Sequence, residues 1–298
     1  MQKPESRFAA CHPAVCFGFF MGAIGGSVFF QHPAYLLVSG LSAALLLLTE
    51  KGRGAIPMIL GMVPLLLILT ALNPLFNHYG KRVLFTVFGN PYTLEALLYG
   101  GVIAGMLVAA LLWFSCYSAV MTSDKFTWLF GNLIPALSLI LVMVLRLIPA
   151  YRRKAVQISG ARRCVGKSPA ASENWKDKAV HSMAVLSALT TWALEGAIVT
   201  ADSMRSRGYG TARRSSFQTY RWRLGDGCFA AAAVLLFGIT FWGAALGWTK
   251  ASFTPILNIT PIGGSHLLGL LAYSLCLTIP ALMNLREEIK WKYFRSKI

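Results

Sequence analysis

Acidic side chains are scarce in this chain: 11 Asp and Glu stand against 28 Lys and Arg in 298 residues, a formal net charge of +17. Charge of either sign makes up only 13% of the sequence, while 56% is hydrophobic and the mean hydropathy is +0.58. A soluble domain could not hide that much apolar surface in one core. Paired metal ligands are missing too. The five histidines (His12, His32, His78, His181, His266) are scattered, with no two at helical ligand spacing, which argues against a zinc site. The six cysteines (Cys11, Cys16, Cys116, Cys164, Cys228, Cys276) show no close pairing. They read as small buried hydrophobes, not as disulfides or metal ligands. No nucleophile stands beside a base, so neither a catalytic site nor a bound cofactor is expected. The positive charge does not indicate nucleic acid, because it falls in blocks between long uncharged runs. That is the pattern of cytoplasmic loops flanking membrane spans.

Residues 8–49 contain no Lys, Arg, Asp or Glu. At roughly 20 residues per crossing this predicts two helices folded back at Gln31, His32 and Pro33. Lys3 and Arg7 precede the run as in a signal peptide, but no small-residue cleavage site follows, so an uncleaved first span is expected. Residues 50–54 (EKGRG) predict a short charged turn, and 55–72 a third span that carries Pro57 and Pro64. The polar stretch 73–93 is rich in turn formers and long enough for structure of its own at the outer surface. Residues 94–120 predict the fourth span, with Gly101 and Gly105 spaced as a small-residue packing face.

The next two apolar runs, 126–145 and 183–201, raise a question of parity. If both crossed, the segment between them would lie outside with Arg152, Arg153, Lys154, Arg162, Arg163, Lys167, Lys176 and Lys178. So basic a loop opposes that location. Neither run is therefore expected to cross, and 121–223 reads as a cytoplasmic-side insertion of helices. Residues 227–249 then cross outward, 254–264 turn, 267–285 return, and a basic tail follows. The expected fold is an all-α integral membrane protein with about six transmembrane helices. It comprises a four-span part (1–120), the insertion between spans four and five (121–223), and a two-span part with the tail (224–298). Both termini are cytoplasmic, and only Lys81, Arg82 and Lys250 of the 28 basic residues lie outside.

Residues 161–168, ARRCVGKS, match a relaxed phosphate-loop pattern. A helical pattern precedes them, Pro169 follows, and no strand supplies a magnesium ligand, so nucleotide binding is rejected. Glu195 and Asp202 are seven apart on one helical face. They read as partners for arginines: Asp202 for Arg205 at a spacing of three, and Glu195 for Arg146, which is costly in an apolar run unless paired. In SMRSRGYG, Gly208 and Gly210 suit the left-handed positions that stop a helix, which puts Arg207 in the last turn. A second helix, from about residue 150 to 164, ends in Ala161, Arg162 and Arg163 with Gly166 beyond. A cation at a helix C-terminus can simply complement the helix dipole, worth about 0.3–1 kcal/mol. Two such ends on one face could instead dock two equivalent partners through bidentate bonds to carboxylates.

The stretches NPLFNHYG, GNPYTLEALLYG, MTSDKFTWLFGNLIPALSLILVMVLRLIP, ISGARRCVG and TWALEGAIVTADSMRSRGYG are spread between residues 73 and 210. In these it resembles the transmembrane T component of energy-coupling factor (ECF) transporters, the ABC-type importers of vitamins and of cobalt or nickel. The most specific match is Ser206, Arg207, Gly208. The first signature, Ala161, Arg162, Arg163, leaves open which arginine acts. The resemblance implies a non-catalytic coupling subunit in a prokaryotic plasma membrane. Its partners would be two ABC ATPase subunits and a small substrate-binding membrane subunit, the S component. The competing expectations are a membrane enzyme acting on a lipid headgroup through Glu195, Asp202 and the arginines, and a self-contained permease. A permease should show an internal repeat with broken helices, and none is found.

Overall fold

The computed structural model describes residues 6–77, 80, 82–87, 90–131, 135–166, 174–211, 220–249, 251–252, 258–259 and 263–295. Five helical stretches among them are long and apolar enough to cross a membrane: Pro33–Phe76, Leu94–Val120, Trp175–Ser206, Leu224–Ala245 and His266–Trp291. A shorter apolar helix, Pro13–Phe29, precedes them. The chain is an all-α protein of the membrane type. It divides into two compact units, one made of Met1–Phe126 with Tyr220–Ile298 and the other of Thr127–Thr219.

The first unit opens with α1 (Pro13–Phe29) and α2 (Pro33–Lys51). Both begin with the same three residues, His-Pro-Ala. In each the proline stands where its missing N–H costs nothing, and the histidine Nδ1 accepts from the alanine N–H, at 3.3 Å from Ala14 and 3.2 Å from Ala34. α2 runs through Glu50 and Lys51, further than the expected charged turn allowed. A 3₁₀ turn, Gly52–Ala55, then leads into α3 (Ile56–Phe76). A hairpin of β1 (Val83–Val87) and β2 (Asn90–Thr93) follows and delivers the chain into α4 (Leu94–Val120), where Thr93 Oγ1 accepts from Ala96 N–H. Next comes α5 (Ser123–Gly131). After the second unit the chain returns as α8 (Leu224–Ala245) and α9 (Ser265–Arg295). The short antiparallel strands β3 (Ala251–Ser252) and β4 (Asn258–Ile259) lie between them. Residues 254–257 and 260–262 of the expected 254–264 turn, with Lys250 and residue 253 ahead of it, lie outside the described residues.

Side-chain contacts fix the helix directions. Along α2 and α4 the partners advance together: Trp113 Nε1 donates to Ser39 Oγ at 2.9 Å, and Cys116 Sγ to the Ala43 carbonyl at 3.4 Å. These helices run parallel. Along α3 and α4 they advance oppositely, because Gly100 lies against Asn73 while Ser115 lies against Met58. α3 is therefore antiparallel to α4 and to α2, so the 33–76 stretch reverses at its 3₁₀ turn. α1 runs against α9, with Phe8 N–H bonded to Asn284 Oδ1 at one end and Phe30 packed on Tyr273 nearer the other. α9 runs with α2, since Tyr35 meets Tyr273 while Asn284 Nδ2 donates to Glu50 at 2.8 Å. Trp248 packs at a tilt on His266, ring centroids 6.0 Å apart, which turns α8 back onto α9. In chain order α1, α2, α3, α4, α8 and α9 alternate in direction.

Phe8, Phe19, Phe20, Phe30, Trp113, Phe229 and Tyr273 build the core of this unit in edge-on and tilted contacts, the geometry that aromatic quadrupoles favour. Of the six cysteines, Cys11, Cys16, Cys116 and Cys276 are buried, but Cys164 and Cys228 are exposed. The uniform reading of cysteine as a buried hydrophobe fails for those two. Lys125 is buried on α5 and donates to the carbonyls of Ala9 and Val120. It pins the N-terminal segment to the end of α4 and gives its charge two carbonyl acceptors in place of water.

Candidate functional site

The second unit is built on two long helices, α6 (Pro135–Cys164) and α7 (Trp175–Ser206). The helix expected from about residue 150 is the second half of α6, which continues through Pro149. A proline inside an apolar helix removes one backbone bond without ending the helix when its surroundings support it.

Among the described residues, three ring and side-chain contacts join the pair. Tyr151 meets Trp192 edge-on with ring centroids 5.4 Å apart, Lys154 Nζ sits 5.7 Å from the centre of the Trp192 ring, and Arg162 Nε donates to His181 Nδ1 at 3.3 Å. Tyr151 and Arg162 are eleven residues apart on α6, and so are His181 and Trp192 on α7. Eleven residues make about three turns, so each pair lies on one stripe of its helix. As the α6 position rises the α7 position falls, which makes the helices antiparallel.

Among the described residues, each C-terminus is followed by a glycine in the left-handed region. On α7, Ser206 is the last helical residue, Arg207 is the cap and Gly208 sits at φ 73. Gly208 N–H donates to the Arg205 carbonyl and Tyr209 N–H to the Met204 carbonyl, both at 3.0 Å. This is the Schellman arrangement, for which glycine is suited because the left-handed backbone has no Cβ to clash. On α6, Cys164 ends the helix, Gly166 lies at φ 75, and its N–H donates to the Arg163 carbonyl at 3.0 Å. Relative to the cap glycines, Arg163 stands where Arg205 stands, Val165 where Arg207 stands, and Arg162 where Met204 stands.

Ala161, Arg163, Arg205, Ser206 and Arg207 are exposed, whereas Arg162 and Gly208 are half-buried. Arg207 lies one residue beyond the last turn in which the sequence reading put it. Arg146, Glu195 and Asp202 are exposed, and among the described residues the expected pairs Arg146 with Glu195 and Asp202 with Arg205 are not formed. Neither arginine is buried against protein, the condition under which an unpaired charge is costly. The helix running into residues 161–164 is not the strand a phosphate loop requires. Lys167, Ser168 and Pro169 of that pattern, like Arg213 and Arg214, lie outside the described residues. Among the described residues no three His, Cys, Asp or Glu side chains cluster to hold a metal.

The contacts that position the two ends were not singled out from the sequence. His181 is only 8% exposed, and Tyr151, Lys154 and Trp192 complete the stripe. The matching eleven-residue spacings were the available signal. Geometrically, α6 brings Arg162 and Arg163 level with His181, and α7 runs about 25 further residues to Ser206, roughly 38 Å of helix. The two arginine-bearing ends therefore point away from each other at opposite ends of one rod. Such an arrangement can engage two separate carboxylate-bearing partners at once. Compared with known proteins, the chain matches no family and no curated protein.

Proposed function

We propose that this chain is the membrane-embedded coupling subunit of an ECF-type ABC importer, the T component, in a prokaryotic plasma membrane. In this reading α1, α2, α3, α4, α8 and α9 cross the bilayer, with both termini cytoplasmic, and α5 to α7 form the cytoplasmic coupling assembly. Two ABC ATPases each receive one helix end. Their ATP-driven closure moves the two helices, and that motion passes to a small S component that carries a vitamin or a transition-metal ion. The chain contributes coupling and no chemistry of its own. A mobile pair of packed helices is a device with more than one arrangement, which a coupling between distant sites requires.

One observation carries the reading: two helix C-termini, each followed by a left-handed glycine whose N–H bonds back to the carbonyl three residues earlier and each bearing an exposed arginine, lie at opposite ends of an antiparallel pair. One cationic helix end is explained by the helix dipole alone. Two ends matched in backbone and separated by roughly 38 Å suit two equivalent subunits. The alternating directions of the six helices in the first unit are compatible with six crossings.

The test is to purify the tagged full-length chain from its native host in mild detergent and identify what accompanies it. Two ATPases with a small hydrophobic subunit support the proposal. Arg207→Glu should then reduce ATPase retention and uncouple ATP hydrolysis from uptake while membrane insertion is unchanged. A chain that purifies alone and turns over a lipid headgroup defeats the proposal.

A further inference from the structure

The first signature holds two adjacent arginines, and adjacent residues on an α-helix point about 100° apart. We infer that they divide the work: Arg162 is a positioning residue that locks the end of α6 to α7 through His181, and Arg163 is the side chain that reaches the partner. The inference rests on the coupling reading for its partner and on geometry for the division. Arg162 shares the α6 stripe of Tyr151 and Lys154, is half-buried, and spends its Nε–H on a buried histidine. An acceptor Nδ1 puts the His181 proton on Nε2, an atom that is buried without a hydrogen-bond partner. The contact with Arg162 is thus the hydrogen bond that holds this ring. Arg163 lies off the stripe, exposed. The other helix end repeats the pattern of exposure, although Arg207, proposed to reach a partner there, stands at the position of Val165. Counted back from the cap glycine, the position of Arg162 is held on α7 by Met204, also half-buried, and that of Arg163 by Arg205, also exposed.

The experiment uses the full chain purified from its native host, with Arg162→Ala, His181→Phe, their double variant and Arg163→Glu, and reads two quantities. The first is the amount of the host's own ATPase subunits that copurify. The second is amide hydrogen exchange over residues 156–164, measured on the chain stripped of partners. Arg163→Glu should lower bound ATPase roughly tenfold or more, the loss expected for a charge-assisted hydrogen bond, with exchange unchanged. Arg162→Ala and His181→Phe should each raise exchange in the segment, with the double variant no worse than either single one. If wild type and Arg163→Glu retain equal ATPase, the assignment of Arg163 is wrong while the coupling reading stands. If wild type retains none, the coupling reading and the partner role of Arg163 fall together. If Arg162→Ala leaves exchange unchanged, or its effect adds to that of His181→Phe, the lock is refuted.

Discussion

His12 caps α1 with its Nδ1 and stacks on Trp222 at 4.2 Å between ring centroids. Burial lowers its pKa below the ordinary 6.5, against a smaller opposing pull from the Asp226 charge. The folded protein therefore resists a proton that the unfolded chain accepts below about pH 6.5, so this site contributes stability above that pH and loses it on acidification. The thermal unfolding midpoint in detergent should fall between pH 8 and pH 5.5. His12→Asn keeps an N-cap acceptor and should show a smaller fall, and an identical fall would assign the pH dependence elsewhere. Its neighbour Cys11 shows the same environment acting on a thiol. Burial first, and the Asp226 carboxylate second, push its pKa up to about 11, and only the thiolate is reactive. At pH 7.5 a maleimide should modify the exposed Cys164 within minutes and Cys11 only after denaturation, as mass spectrometry of the labelled chain will report.

Helix by helix, the outline was readable where the sequence changes abruptly. α4 has the bounds its apolar run indicates, Leu94–Val120, because Thr93 supplies a cap at one end and the apolar run gives out at the other. The reversal near residue 52 was readable from EKGRG for the same reason. Pairing was less accessible, since an all-apolar helix gives no sign of which face meets which neighbour. The spacing of Gly101 and Gly105 marks one face, yet the close approach in the structure is at Gly100. A methyl there would lie 2.6 Å from Asn73 Cβ and 2.9 Å from the Thr70 carbonyl oxygen, whereas at Gly101 the nearest atom is 3.8 Å away. Gly100→Ala should destabilise the protein by about 1–3 kcal/mol, since backbone must move to admit the methyl. Gly101→Ala should be neutral or slightly stabilising, as alanine is the better helix former. Thermal unfolding of both variants decides between the faces, and equal effects would dismiss the close α3 to α4 approach. The arginine signatures divide similarly. That glycines stop both helices was legible from ARRCVG and SMRSRG, but the partner of Arg162 sits nineteen residues away on another helix, beyond any local pattern.

Across the whole molecule, the deciding question is the side on which α7 begins and ends. Its length and composition would let it cross a membrane, and its apolar residues Val180, Met183, Leu186, Leu194, Ile198 and Val199 are exposed in the chain alone. Against crossing stands the distribution of charge. A single crossing by α7 would also break the parity of the six alternating helices, because α4 and α8 would then need one more crossing between them to keep their opposite directions. α6 could supply it, but then the segment joining α6 to α7, with Lys167, Lys176 and Lys178, would lie outside, against the positive-inside bias. Single cysteines at Asn174 and Thr211, each in a chain whose own six cysteines are replaced, place the two ends of α7. If α7 lies along the cytoplasmic face, a membrane-impermeant maleimide should label both from the outside of inverted vesicles, where that face is exposed, and neither from intact cells. If α7 crosses, the two sites will label from opposite faces. The arginine at position 207 would then be separated by the bilayer from those at 162 and 163, and no pair of ATPases on one side could hold both ends.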